Sequence, residues 1–136
     1  YQREWTLRQH VEAIDKLNDV WPEWIVADPE DRGSRLSLSR DHDVNTLPAN
    51  KKRGSVRAGI NAVCERMALD VEGRPHLVVH DHESMRPVIR EFESYRWDTS
   101  RTKRDQPDAP LKRDDHAMDA VRYLCSKLAA GSFEVG

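Results

Sequence analysis

The chain has 136 residues, enough for one domain with a hydrophobic core and too few for two ordinary ones. Hydrophobic residues make up 38% and charged residues 34%, and the apolar positions recur at helix and strand spacing, which excludes a disordered chain. No apolar run approaches the roughly 20 residues that span a bilayer, and Tyr1 to Trp5 lack a signal-peptide core, so neither membrane anchoring nor export is expected.

In chain order, Thr6 and Gln9 fit a capping box that opens a helix over 6–19, with Leu7, Val11, Ile14 and Leu17 on one stripe. Pro22 ends it. Trp24 to Ala27 is a short apolar run closed by Asp28-Pro29, the pattern of a buried strand with a carboxylate at its C-terminal end. A short helix is expected from about Glu30 to Ser39 and a second strand from Val44 to Leu47. Pro48 to Gly54 reads as a basic loop. Ser55 is placed to cap a helix that turns Val56, Ile60, Val63 and Met67 inward. After the turn at Gly73-Arg74-Pro75, His76 to His80 is expected to form a third strand. Ser84 opens a helix carrying Met85, Ile89 and Phe92, with Pro87 early enough to be tolerated. Tyr95 to Trp97 fits a short strand, and 98–110 a charged loop. The last helix runs from about Asp114 to Ala130, burying Ala117, Val121, Leu124 and Leu128. Strands alternating with helices predict an α/β sheet covered by helices, in one domain over 1–136.

The net charge of −2 hides a clustered distribution. Basic residues gather at Lys51-Lys52-Arg53 with Arg57, at Arg101, Lys103 and Arg104, and at Lys112-Arg113. Acidic residues gather at Asp28 to Asp31 and at Asp114, Asp115 and Asp119. Taken alone, each cluster also fits a solvated loop. Cys64 and Cys125 lack any paired spacing and read as free, partly buried thiols.

Two constellations could carry chemistry. Asp115 and Asp119 are one turn apart on a helix face that also holds Arg122, with His116 one step round. Like charges at that spacing repel unless a cation lies between them, and oxygen ligands suit Mg²⁺ or Mn²⁺. The other reading of the same residues is that Asp114 and Asp115 cap the helix and Asp119 pairs with Arg122. Asp28 stands where open α/β sheets collect reactive groups, although an Asp before Pro also commonly starts a turn.

The residues also resemble a known family, the large terminase subunits of tailed bacteriophages, over nearly the whole chain. Trp24 to Pro29 resembles the family's second catalytic strand. Lys51 to Ile60 resembles its K-x-x-G-S-V-x-x-G-I segment, Glu91 to Trp97 its E-F-x-x-Y-x-W run, and Asp115 to Tyr123 its closing D-H-x-x-D-A-x-R-Y helix. The four in the family's order carry the resemblance together. It implies an RNase H-like domain with a mixed sheet flanked by helices, and a two-metal nuclease cutting concatemeric double-stranded DNA during packaging. It further implies Mg²⁺ or Mn²⁺ held by Asp28, Asp115 and Asp119, His116 as a ligand or hydrogen-bond donor, and DNA backbone held by Lys51, Lys52, Arg53, Arg57, Arg101, Lys103 and Arg104. Implied partners are the portal protein and the small terminase subunit, in the cytoplasm of an infected host cell. The family's first catalytic strand has no counterpart before Trp5 and its P-loop motif does not occur, so an N-terminally truncated domain is expected; Asp81 is the one further carboxylate in view. The alternatives are a catalytically incomplete DNA-binding or motor-docking module, and another RNase H-like nuclease such as a junction resolvase or transposase.

Overall fold

The structure, a computed structural model, describes residues 4–17, 19–97 and 109–131. It divides into two compact units, residues 1–49 and 50–136.

The first unit is a β-α-β arrangement with a helix ahead of it. α1 (Leu7–Leu17) opens with the expected capping box: Thr6 N donates to Gln9 Oε1 at 2.8 Å and Gln9 N to Thr6 Oγ1 at 3.3 Å. Leu7, Val11 and Ile14 face a cavity of about 280 Å³ shared with the strands and the second helix, while Leu17, expected on the same stripe, is exposed. β1 (Ile25–Ala27) and β2 (Thr46–Pro48) pair in parallel, with Val26 opposite Leu47. Parallel neighbours need a crossover, and α2 (Arg32–His42) supplies it. Asp31 Oδ1 caps α2 by accepting from Ser34 N at 3.0 Å. Hydrogen bonding to Ser34 holds the Asp31 carboxyl below its usual range. Asp43, in the left-handed conformation at φ 55°, closes the helix. Arg35 ties helix to strand, donating from Nε to Thr46 Oγ1 at 3.0 Å and from a terminal nitrogen to Thr46 O at 3.1 Å.

The second unit is helical. α3 (Ser55–Met67), α4 (Arg86–Ser94, preceded by a 3₁₀ turn at Glu83–Met85) and α5 (His116–Ala129) pack together, with α5 touching both of the others. Ala62, Met118, Tyr123 and Cys125 are buried in this unit. Burial also pushes the Cys125 thiol above its usual pKa, which keeps it protonated and unreactive. Ser55 does not cap α3 as expected. Gly54, left-handed at φ 81°, occupies the cap, and Ser55 is buried as the first helical residue.

Gly59 sets the approach of α3 to α5. A Cβ there would fall inside contact distance of Arg122 Cγ and stand 2.8 Å from Ser126 Oγ. Gly59→Ala is therefore expected to destabilise by about 1–2 kcal/mol, because overpacking outweighs the roughly 1 kcal/mol gained by removing a helical glycine. Gly33 in α2 is the control: a methyl group added there would meet nothing within 4 Å, so Gly33→Ala should stabilise. Urea denaturation of the two variants should give shifts of opposite sign.

Two expected strands are corrected. Residues 76–80 form no strand: they run as irregular backbone, with one bridge between Leu69 and Pro75 just before. His76 N and Leu77 N both donate to Arg66 O, at 2.8 and 2.9 Å, so the segment is anchored on the last turn of α3 and not on a neighbouring strand. Val78 is exposed, which removes the burial that the apolar run suggested. Tyr95 to Trp97 shrinks to a single antiparallel bridge, Trp97 with Pro110. Among the described residues the sheet is the β1–β2 pair, so the fold is α/β with a small parallel sheet. No helix among them is long and apolar enough to cross a membrane.

Candidate functional site

The start of α5 is where the sequence motifs of the second unit meet. The chain arrives through the Trp97–Pro110 bridge and the bond from Leu111 N to Arg96 O at 2.8 Å. It then turns at Asp114, left-handed at φ 48°, into the helix. This turn separates the three candidate carboxylates. Asp114 is exposed beside Arg113, Asp119 is half-buried, and Asp115 is only 7% exposed. His116 is exposed.

Asp115 stands at the N-cap position of α5, yet its side chain makes no capping hydrogen bond. The cap comes from elsewhere. Glu91 of α4, 5% exposed, accepts through Oε2 from Ala117 N at 2.7 Å and from Met118 N at 3.1 Å. A buried carboxylate at a helix N-terminus satisfies orphan N–H groups and interacts favourably with the dipole. Glu91 thus does what the capping reading of the sequence assigned to Asp115, and the Asp115 carboxylate is left with another role. Among the described residues its Oδ2 is buried and accepts no hydrogen bond.

Cations surround the pair. Lys112 Nζ lies 3.4 Å from Asp115 Oδ2 and 3.6 Å from Asp119 Oδ2. Arg122 donates to Asp119 Oδ1 at 2.8 Å, and its guanidinium sits 4.9 Å from the Tyr123 ring centre. Arg122 is only 5% exposed, and its aliphatic stem runs over Gly59, so the K-x-x-G-S-V-x-x-G-I segment fixes the arginine that orients Asp119. Tyr95 completes the surroundings. Burial pushes its phenol pKa up, Asp119 and Asp115 add to the rise, and Arg122 opposes it by its charge and a hydrogen bond. The phenol is therefore neutral near pH 7.

Of the basic residues, Lys51, Lys52, Arg53 and Arg57 are exposed. Lys51 Nζ approaches the Tyr123 ring to 5.9 Å, on the residue next to Arg122, and Arg57 lies 5.6 Å from the Trp97 ring. Arg101, Lys103 and Arg104 lie outside the described residues. Asp28, in the first unit, sits half-buried at the C-terminal end of β1, where Oδ1 accepts from Glu30 N at 2.9 Å. That is the turn-starting bond expected of an Asp before Pro, and it leaves the strand-end placement intact. Asp81 is exposed and paired with Arg86 at 3.1 Å.

A family model described as the Terminase RNAseH like domain matches residues 8–127. The chain belongs to this terminase family. Two solved structures share its fold. A large terminase from a thermophilic bacteriophage has 22% sequence identity and a TM-score of 0.68 over 92% of this chain. The same terminase in complex with ATP-gamma-S has 23% identity and a TM-score of 0.66 over 89%. This terminase domain spans 29% and 28% of those two chains. No curated protein sequence matches it.

Within either unit of the terminase domain, no three His, Cys, Asp or Glu residues among those described are grouped to hold a metal ion. The second unit instead offers two carboxylates, one of them with a buried oxygen that accepts no hydrogen bond among the described residues. That oxygen fits a cation: it is buried, no hydrogen bond among the described residues satisfies it, and the Lys112 ammonium lies 3.4 Å from it. Glu91, Lys112 and Tyr95 do not stand out as site residues in the sequence. Glu91 and Tyr95 fall in the E-F-x-x-Y-x-W run, whose two polar positions one turn apart are the available clue.

Proposed function

We propose that this terminase domain is a metal-dependent endonuclease that cuts concatemeric double-stranded phage DNA during packaging, in the cytoplasm of an infected host cell. The observation that carries this reading is the Asp115 carboxylate, buried at the start of α5 and relieved of capping by Glu91. Family membership over residues 8–127 supports it.

In the second unit the proposed metal-holding residues are Asp115 and Asp119, with His116 as a further ligand or donor; Asp28 of the first unit is proposed as a metal ligand on the family resemblance alone. Two Mg²⁺ or Mn²⁺ ions would supply activation of an attacking water and stabilisation of the departing 3′ oxygen. The protein's own part is positioning. Arg122 holds one oxygen of Asp119 at 2.8 Å, and the other lies 3.6 Å from Lys112 Nζ. Glu91 fixes the first turn of α5 and thereby the backbone that carries both carboxylates. Lys51, Lys52 and Arg53, with Arg57, are proposed to grip backbone phosphates, which gives affinity that falls with salt and depends little on sequence. The proposed protein partners are the portal and the small terminase subunit.

The 136-residue chain is expected to nick supercoiled plasmid with Mn²⁺ and to stop on chelation. Asp28→Ala and Asp119→Ala should each slow nicking by about a hundredfold or more, since each removes a ligand worth several kcal/mol in the transition state. Undiminished nicking in both variants would overturn the residue assignment. Salt-sensitive DNA binding with no cleavage under any divalent ion would favour a DNA-binding or motor-docking module.

A further inference from the structure

Two cations face the Asp115–Asp119 pair, and they are held very differently. Arg122 is locked: its side chain is 6% exposed, its stem passes over Gly59, and its guanidinium rests on Tyr123. Lys112 sits in a backbone segment held through Leu111 N to Arg96 O and Arg113 N to Leu111 O, while its side chain is 71% exposed. Its ammonium nonetheless lies within 3.6 Å of an oxygen of each carboxylate. It is also the cation beside Asp115 Oδ2, which is buried and accepts no hydrogen bond among the described residues.

We propose that Lys112 is a tethered stand-in cation: it neutralises the Asp115–Asp119 pair in the metal-free domain and yields its place to a divalent ion. This rests on the metal-binding reading above. The chemistry suits the residue type. A lysine ammonium is a compact charge on a flexible stem that can leave without uncovering buried surface, whereas a guanidinium locked in a fork cannot. Two carboxylates one helical turn apart repel when no cation is present, so a built-in cation keeps α5 wound to its first turn until the ion arrives. The ion must displace Lys112, so the lysine lowers metal affinity while raising metal-free stability. Once released, Lys112 remains beside the site as a positive charge on a 71% exposed side chain, accessible to a phosphate.

The test is Mn²⁺ titration, read by calorimetry, together with thermal melting in chelator, on the wild-type chain, Lys112→Met and Lys112→Arg. Lys112→Met keeps the stem and removes the charge; because the side chain is largely exposed, it should fold. It is expected to bind Mn²⁺ about three- to tenfold more tightly than wild type, to melt lower in chelator, and to gain more in Tm on adding Mn²⁺. Lys112→Arg, which keeps the charge, should bind close to wild type. If wild type binds Mn²⁺ and Lys112→Met binds no more tightly, Lys112 is an ordinary ion-pair residue and the proposal falls while the metal reading stands. If neither chain binds Mn²⁺, the metal reading falls and takes this proposal with it.

Discussion

Glu91→Ala is expected to destabilise the protein by about 3 kcal/mol and to lower Tm by roughly 10 °C. Glu91 lies on a short helix and is 5% exposed, and its Oε2 accepts two backbone bonds, at 2.7 and 3.1 Å, from residues 26 and 27 positions further on. Truncation removes the Glu91 acceptor from both N–H groups and takes a negative charge from the helix N-terminus. Glu91→Gln keeps an acceptor oxygen in nearly the same place and loses only the charge, so it should cost about 1 kcal/mol. Urea denaturation should rank the chains wild type, Gln, Ala. Glu91→Ala within about 0.5 kcal/mol of wild type would show that the α5 cap does not depend on this residue. A second consequence distinguishes this cap from an ordinary one. With Glu91 gone, Asp115 is the residue at the N-cap position and can turn its carboxylate onto the vacated N–H groups, so nicking should fall further than the loss of stability explains.

Asp115→Ala is expected to reduce Mn²⁺-dependent nicking by about a hundredfold or more while leaving stability within about 1 kcal/mol of wild type, or raising it. The sign follows from what Asp115 does in the fold. It caps nothing, one buried oxygen accepts no hydrogen bond, and it shares the Lys112 ammonium with Asp119, a carboxylate one turn on. Its one favourable partner among the described residues is the exposed Lys112 at 3.4 Å, and pairs with an exposed lysine contribute little. Removing such a group relieves repulsion and a desolvation cost together. Nicking rates and urea melts measured on the same preparations separate this outcome from a structural role, which would lower both.

Local chemistry makes much of this molecule legible in its sequence. The Thr6–Gln9 capping box, the β1–α2–β2 unit and the long last helix follow from capping residues, apolar spacing and short apolar runs, and all three occur. Sequence and structure part where a partner distant in sequence decides the outcome. His76 to His80 has the composition of a strand, but no strand pairs with it among the described residues, and its first N–H groups go to the end of α3. Leu17 falls on the apolar stripe of α1 yet lies in its last turn, where it is exposed.

The candidate site divides along the same line. The four residues Asp28, Asp115, His116 and Asp119 stand out by type and spacing, but their burial does not. Whether Asp115 caps its helix cannot be read from the run Asp114 to Asp119, because the answer lies with Glu91 on another helix. Lys112 shows in the sequence only as part of a basic pair beside the acidic helix; its position between two carboxylates depends on the bridge that joins Trp97 to Pro110.

If the Asp115 carboxylate is kept for a divalent ion, its charge must matter more to metal than to folding. Calorimetric titration of Mn²⁺ into the wild-type chain and into Asp115→Asn, which preserves shape and removes the charge, tests this most directly. Binding weakened by about tenfold or more in Asp115→Asn, with an unchanged melting profile in chelator, is the expected result. Equal Mn²⁺ affinity in the two folded chains would contradict it.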